Sequence, residues 1–248
     1  MEYTVEICAN SAQSCIAAER GGAQRVELCA GMPEGGTTPS IGEIVAAREA
    51  IGIRLHVIIR PRGGDFLYSP LEQQIMERDI HAAKAAGADG VVFGCLTEEG
   101  EVDTAVMERL MRAAEGMSVT FHRAFDRCRD PYEALERIVS LGCDRILTSG
   151  QRPTAEEGIP LLAQLVERAA GRIGIMPGAG ITERNIARIA AATGAREFHF
   201  SARTEIRSRM RLRNPEVAMG GNEADEYVRS ITSEELVRRT IEALRGRR

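Results

Sequence analysis

A chain of 248 residues, 44% hydrophobic and 27% charged, has the composition of an ordinary globular protein that buries most of its apolar surface. The formal net charge of −4 gives no reason to expect nucleic acid or an anionic membrane as a partner. We expect no membrane span, since no segment approaches roughly 20 consecutive apolar residues. The six cysteines include no Cys-x-x-Cys pair, and no basic stretch opens the chain, so we expect free thiols in a reducing cytoplasm.

Eight short apolar runs recur along the chain, and each is followed by a longer segment with helical periodicity. Most of the runs are nearly continuous in Val, Ile, Leu or Phe, as expected for parallel strands that helices cover. We therefore predict strands at residues 4–9, 25–29, 54–60, 90–96, 118–125, 145–148, 174–176 and 197–201.

The ends of the predicted helices are marked by local signals. Asp130 precedes a proline, and Thr232 opens a capping-box pattern, so both are predicted helix starts. A glycine before each even-numbered strand suits a helix end. Eight such units favour one closed (β/α)₈ TIM-type barrel domain over residues 1–248. An open doubly wound sheet fits less well, because no connection marks a change of direction.

The last connection is the longest and is rich in arginine. About residues 202–231 separate the eighth strand from the final helix, and we expect a loop without secondary structure there. Such a loop is functional or disordered in most compact domains. It contains Asn214-Pro215, Gly220-Gly221-Asn222 and the arginines Arg203, Arg207, Arg209, Arg211 and Arg213.

Polar residues follow several predicted strands, at the face where barrel enzymes hold their substrates. We predict that three arginines, Arg60, Arg62 and Arg123, clamp a small anion beside Asp65. An alternative is that Arg62 and Asp65 only brace a turn. Backbone and hydroxyl groups would complete the anion site at Ser149, Gly178, Gly180 and Ser201.

The same face offers candidates for proton transfer. His122 or Glu27 would move a proton, and Asp126 or Asp65 would orient the base. Each of these residues also has a structural explanation as a buried ion pair or a hydrogen-bonded core residue. Their convergence on one barrel mouth nevertheless favours a polar ligand site. No motif indicates a nucleotide cofactor.

Cys8 and Cys29 end the first two predicted strands, at similar depths in their runs. Two neighbouring thiolates suit a soft ion such as Cu(I) or, with further ligands, Zn(II). Cysteine is also a common buried apolar residue, and without other information we favour core packing for this pair.

Six strings along the chain together resemble the CutC family, which is named for copper homeostasis. They are VELC (26–29), EGGTTPS (34–40), IRPRGGDF (59–66), VTFHRAFD (119–126), LTSG (147–150) and DEY (225–227). The resemblance covers essentially the whole chain. It implies a TIM-type barrel, a cytoplasmic location, homo-oligomeric assembly and a link with copper, with Cu(I) binding associated with the positions of Cys8 and Cys29.

Two functions therefore compete on the sequence. The first is a copper-homeostasis protein that binds Cu(I) through Cys8 and Cys29, with Cys95 or Met176 nearby. The second is an enzyme of unassigned reaction that acts at the barrel mouth on a small anionic substrate, a class that includes phosphorylated compounds. A binding or scaffold protein without catalysis is the third alternative.

Overall fold

Eight parallel strands form the centre of the molecule, as the repeated apolar runs predicted. The computed structural model describes residues 3–214, 216–217 and 225–246. The strands are β1 Thr4–Ala9, β2 Arg25–Leu28, β3 Arg54–Ile58, β4 Gly90–Phe93, β5 Ser118–Phe121, β6 Arg145–Thr148, β7 Gly174–Pro177 and β8 Glu197–Phe200. Their hydrogen-bonded order is β7-β6-β5-β4-β3-β2-β1-β8, and β7 lies beside β8. The sheet is thus a nearly closed barrel, and the predicted TIM-type fold is confirmed.

Helices alternate with the strands around the outside of the barrel. They are α1 Ala12–Arg20, α2 Ile41–Ala50, α3 Pro70–Ala85, α4 Thr104–Ala113, α5 Pro131–Ser140, α6 Ile159–Ala169, α7 Ile186–Thr193 and α8 Glu234–Arg245. Asp130 caps α5 by accepting the N–H groups of Tyr132 and Glu133, as its position predicted. The cap of α8 is Ser233, one residue beyond the predicted Thr232, which instead ends a strand. Within the described residues, no helix has the length and hydropathy required for a membrane span.

The barrel interior contains a charged cluster beneath the mouth. The register of the sheet pairs Glu6 of β1 with Arg25 of β2 and His199 of β8. Arg25 forms an ion pair with Glu6, and its Nη2 lies 2.6 Å from Glu197 Oε2. Arg145 Nε lies 3.2 Å from the same Glu197 oxygen. These pairs compensate charges that would otherwise be costly to bury.

The arginine-rich segment is not the loop that we expected, because its two ends pair as a hairpin. β9 Arg203–Arg207 and β10 Val228–Thr232 form an antiparallel ladder. Both strands contain β-branched residues, but some twenty residues separate the strands in sequence, so local patterns did not reveal the pairing. The Ser14 hydroxyl accepts the Thr232 N–H and attaches the hairpin to α1. Of the residues that we named in the expected loop, Pro215 and 220–222 lie outside the described residues.

Candidate functional site

A cavity of about 830 Å³ opens at the carboxyl ends of the barrel strands. Nine of the residues that we singled out from the sequence line it: Cys8, Glu27, Cys29, Arg60, His122, Arg123, Asp126, Gly180 and Ser201. Four others lie outside the lining: Arg62, Asp65, Ser149 and Gly178. Parallel strands bring their ends to one face, which is why residues far apart in sequence meet there.

The two predicted metal-binding cysteines meet at one wall of this cavity. Cys8 Sγ and Cys29 Sγ are 3.9 Å apart, and a Glu27 carboxylate oxygen lies within 4.8 Å of both sulfurs. In the described part of the chain, this is the one group of His, Cys, Asp or Glu side chains close enough to share a metal ion. The group forms because the β1–β2 register places Cys8 opposite Glu27, with Cys29 just beyond the end of β2.

The two other sulfur residues that we expected nearby lie elsewhere. Cys95 is buried in the hydrophobic core, where burial raises the pKa of its thiol. The Met176 sulfur accepts a hydrogen bond from Arg25 Nη2 at 3.2 Å, so it faces the charged cluster of the barrel interior. Both residues lie at or next to the end of an apolar run. The sequence pattern alone did not show toward which side of the strand each side chain points.

The thiols of Cys8 and Cys29 differ in pKa. The hydrogen bond between the sulfurs lowers the pKa of Cys8 well below the usual thiol range and raises the pKa of Cys29. His199 and Arg203 lower the pKa of Cys8 further, and Arg203 Nη2 lies 3.7 Å from its sulfur. These shifts favour the thiolate form on Cys8 and the thiol form on Cys29. A thiolate is the form of cysteine that binds metals and attacks electrophiles.

His199 was not among the predicted site residues, although it occupies a polar position on the eighth strand. Its Nδ1 lies 2.7 Å from Glu6 Oε1, and its Nε2 lies 3.6 Å from Glu27 Oε2. Burial would lower the pKa of His199, but its hydrogen bonds to Cys8 and Glu6 and the charge of Glu27 raise it well above the usual value. The imidazolium therefore supports the Cys8 thiolate. The signal in the sequence that could have identified His199 was its position as a polar residue near the end of a predicted strand.

Glu27 is a buried carboxyl group at the same wall. Burial raises its pKa to about 8, against the opposing attraction of His199. A carboxyl group with a pKa near neutrality suits proton transfer, which is the role that we predicted for Glu27. That role stays a prediction.

His122 has a different electrostatic setting from the one that we expected. Burial, reinforced by the nearby Arg60 guanidinium, lowers the pKa of His122 to about 3. Its Nδ1 accepts the Ala124 N–H at 3.3 Å, which leaves the ring proton on Nε2. A neutral imidazole in this tautomer carries a buried Nε2–H donor, whereas we predicted from the sequence that His122 moves a proton.

Arg60 forms internal contacts in place of the open anion clamp that we predicted. The guanidinium is buried, and its Nη1 donates to the carbonyls of Glu34 at 2.6 Å and Gly36 at 2.8 Å. Its Nη2 donates to the Gly64 carbonyl at 2.9 Å. Arg60 therefore holds two loops together at the cavity wall.

Arg62 and Asp65 brace a turn, which was our alternative to an anion site at these two residues. Arg62 Nη2 lies 2.9 Å from Asp65 Oδ1, and Arg62 Nε lies 2.6 Å from Glu72 Oε1. The Arg62 guanidinium also lies over the Tyr68 ring. These contacts connect the loop after β3 to the start of α3, outside the cavity.

Asp126 anchors the loop after β6 and has no contact that would orient His122. Its carboxylate accepts the Thr148 hydroxyl at 2.5 Å and the N–H groups of Ser149 and Gln151 at 3.0 and 3.1 Å. It also pairs with Arg123 Nε at 2.7 Å. The Ser149 hydroxyl is used in this network, which explains why Ser149 lies behind the lining.

The loops after β7 and β8 form another part of the cavity wall, where the backbone has unusual conformations. Ala179 and Ala202 line the cavity with φ angles of 77° and 45°, and Gly180 follows at 71°. Residues other than glycine seldom keep positive φ, and such strain concentrates at binding sites. Gly178 is small for packing reasons, because a Cβ there would lie 2.5 Å from Leu147 Cδ1.

Comparisons with known proteins agree on one family. The model of the CutC family matches residues 3–204. A CutC protein of Bacteroides thetaiotaomicron is 61% identical over 247 residues, which cover 99% of both chains. The human copper homeostasis protein cutC homolog is 49% identical over 243 residues, covering 98% of this chain and 89% of the human one.

A solved structure supports the same relationship at the level of the fold. The CutC crystal structure from Streptococcus agalactiae superposes with a TM-score of 0.76 at 38% identity, covering 80% of this chain and 98% of that one. Family model, sequence relatives and structure coincide over the barrel that carries the cavity. The chain belongs to the CutC family.

Proposed function

We propose that this protein takes part in copper homeostasis by binding Cu(I) as cargo between Cys8 and Cys29. The observation that carries the proposal is the 3.9 Å separation of the two sulfurs at the cavity wall. Thiolates are the ligands that Cu(I) prefers. The lowered pKa of Cys8 favours its thiolate before the ion arrives, and the ion would displace the proton of Cys29. The names of the human and bacterial relatives point in the same direction.

A competition titration against a chelator of known Cu(I) affinity, run without oxygen, tests this proposal. We expect one ion per chain, and an affinity at least about 100-fold weaker in the Cys8→Ser/Cys29→Ser variant, because removing supporting groups around a metal already costs 10–100-fold. Cys95→Ser/Cys143→Ser is the matched control, since it removes two buried thiols outside the site. Full affinity in the first variant would refute copper binding at this pair.

A second candidate function is binding and conversion of a small anionic substrate in the cavity. A copper carrier needs only soft ligands, whereas residues that line this cavity also carry buried polar donors. The Nε atoms of Arg60 and Arg203 and the Nε2 of His122 are buried without a hydrogen-bond partner among the described residues. Unpaired buried donors are costly, so a ligand that satisfies them is the simplest account. Arg203 stands next to the strained loops after β7 and β8, and we place the anion there.

Calorimetric titration with glycerol 3-phosphate, a compact phosphate ester, tests this candidate. We expect saturable binding to the native protein and binding to Arg203→Gln that is weaker by about 10- to 150-fold, because one charge-assisted hydrogen bond contributes roughly 1.5–3 kcal/mol. Arg207→Gln is the matched control, as it lies outside the cavity on the same hairpin. Equal affinity of all three proteins would remove Arg203 from the site, and no binding would refute the anion site itself.

Homo-oligomeric assembly and a cytoplasmic location stay proposals. Exposed apolar side chains on α2 and α3, such as Ile41 and Leu71, support assembly through that face. Sedimentation velocity measures the oligomeric state directly, and a monomer at micromolar concentration would count against assembly. Six free cysteines are compatible with a reducing compartment.

A further inference from the structure

The exposed large apolar side chains of this protein lie on two surfaces. In the described part of the chain there are eight such side chains. Five lie on α2, on α3 and in the loop before α3, and we call this surface the α2–α3 face: Ile41, Val45, Leu67, Leu71 and Ile75. The other three lie beyond β9 in the hairpin: Met210, Leu212 and Val217. Exposed apolar residues that cluster in this way mark interaction sites, whereas single ones do not.

The hairpin surface includes a basic loop that the protein holds in a defined shape. Residues 207–214, which we call the arm, read Arg-Ser-Arg-Met-Arg-Leu-Arg-Asn and contain no acidic residue. The Tyr227 carbonyl accepts the Ser208 N–H at 2.6 Å, and the Tyr227 hydroxyl accepts the Asn214 N–H at 2.9 Å. Between these two bonds, Met210 is 62% and Leu212 81% exposed. The arm therefore needs little further ordering when a partner binds its apolar and cationic side chains.

The α2–α3 face has the opposite charge. Residues 41–50 and 65–79 together carry six acidic and two basic residues. Each of the two helices carries, at four-residue spacing, two exposed apolar residues followed by a carboxylate: Ile41, Val45 and Glu49 on α2, and Leu71, Ile75 and Asp79 on α3. Neither of these two carboxylates forms an ion pair with another described residue. A partner that is both apolar and rich in arginine is complementary to this face.

The arm and the α2–α3 face are neighbours around the barrel. Asn10 Nδ2 donates to the Ser230 carbonyl at 2.7 Å, and the Ser14 hydroxyl accepts the Thr232 N–H, so the hairpin is anchored at the start of α1. α1 in turn packs against α2. Within one chain, residues 209–214 stay exposed and do not cover the face. Two copies related by a two-fold axis can exchange their arms, which gives two equal contacts.

We propose that the arm of one copy docks on the α2–α3 face of a second copy. Met210 and Leu212 are then buried against the apolar residues of the face, and the arginines of the arm pair with its acidic residues. This inference rests on the assembly proposed above and adds the second surface that the assembly requires. Phe66 lines the cavity and Leu67 belongs to the face, so the docked arm lies beside the cavity mouth.

Sedimentation velocity over a concentration series compares the native protein with two variants. Met210→Asp/Leu212→Asp changes the arm. Ile41→Asp/Leu71→Asp changes the face at positions in the first turns of α2 and α3, where aspartate favours a helix. We expect native dimers and self-association at least about 100-fold weaker in either variant, because apolar anchors are lost from two contacts at once. The matched control, Ala187→Asp at an exposed first-turn position of α7, should stay dimeric.

A mixture of the two variants tests whether the arm and the face bind each other. The intact arm of the face variant can dock on the intact face of the arm variant. The mixture should therefore form a heterodimer, although neither variant self-associates at the same concentration. Labelling one variant with a fluorophore at its amino terminus and following its sedimentation measures this complex. A mixture that associates no more strongly than the separate variants would overturn the docking.

The outcomes separate the docking from the assembly on which it rests. If the native protein is monomeric at high micromolar concentration, both proposals fail. If the native protein assembles and only one of the two variants dissociates, the arm and the face do not bind each other, and assembly stands alone. Raising sodium chloride from about 0.05 M to about 1 M should weaken the native dimer, since salt screens the paired charges. A dimer that salt leaves unchanged would contradict the pairing of arginines with acidic residues.

Discussion

Replacement of Arg25 by methionine is expected to lower the free energy of unfolding by about 3–5 kcal/mol, the usual cost of removing one partner of a buried ion pair. Arg25 is 1% exposed and forms ion pairs with Glu6 and Glu197 inside the barrel. Burial alone raises the pKa of Glu6, and the attraction of Arg25 is the largest effect that lowers it. Methionine fills a similar length without charge, so Glu6 would remain buried with a weakened set of partners.

Equilibrium urea unfolding of the native protein and the variant measures this loss. Arg172→Met is the matched control, because Arg172 and Glu136 form an ion pair on the surface with side chains 43% and 56% exposed. We expect no measurable change for this control, since exposed pairs contribute little. An equally small change for Arg25→Met would show that the interior cluster does not stabilise the fold.

Replacement of Asp126 by asparagine is expected to cost about 3 kcal/mol of unfolding free energy. Its Oδ1 accepts the Thr148 hydroxyl and the N–H groups of Ser149 and Gln151, and its Oδ2 accepts the Ser149 hydroxyl and the Arg123 Nε–H, so the two oxygens are both in use. An amide has one acceptor oxygen fewer, and its NH₂ group faces donors instead. Each hydrogen bond to a charged group contributes roughly 1.5–3 kcal/mol, and the unpaired N–H groups add to the loss.

Thermal and urea unfolding of Asp126→Asn are compared with Asp65→Asn, whose carboxylate is 72% exposed. Asp65 pairs only with groups of its own turn, so its variant should lose far less stability. If Asp126→Asn were as stable as the native protein and had lost only ligand binding, Asp126 would belong to the ligand site and not to the loop anchor.

Much of the fold followed from local patterns in the sequence. Continuous apolar runs predicted all eight barrel strands, because strands covered by helices on one side and by the interior on the other are apolar along their length. The predicted strand ends at 29, 60, 96, 125 and 201 were too late, because the pattern of apolar and polar residues continues beyond the last hydrogen-bonded residue of each strand. The helix start predicted at Asp130 was correct, because helix capping depends on neighbouring residues alone.

The candidate site was only partly predictable. Position at the strand ends indicated Cys8, Cys29, Glu27 and His122, and these residues do line one cavity. The contacts of the arginines were harder to predict. A long side chain can reach several partners, and the partner that it contacts depends on the loops that fold around it. Arg60 is surrounded by backbone carbonyls of two loops, which no spacing in the sequence reveals.

The sequence by itself determined the barrel, the family resemblance and the face on which polar residues meet, since strand and helix periodicity are properties of neighbouring residues. Only the tertiary structure decided how those residues pair. Arg25 pairs with Glu197, which lies 172 positions away in the sequence. Arg203 and Thr232 pair at the open end of a two-stranded hairpin. The Ala124 N–H donates to His122 Nδ1 and so fixes the tautomer of the ring. Such pairings depend on register, burial and loop path, which arise when the barrel closes and brings distant side chains into one low-dielectric space.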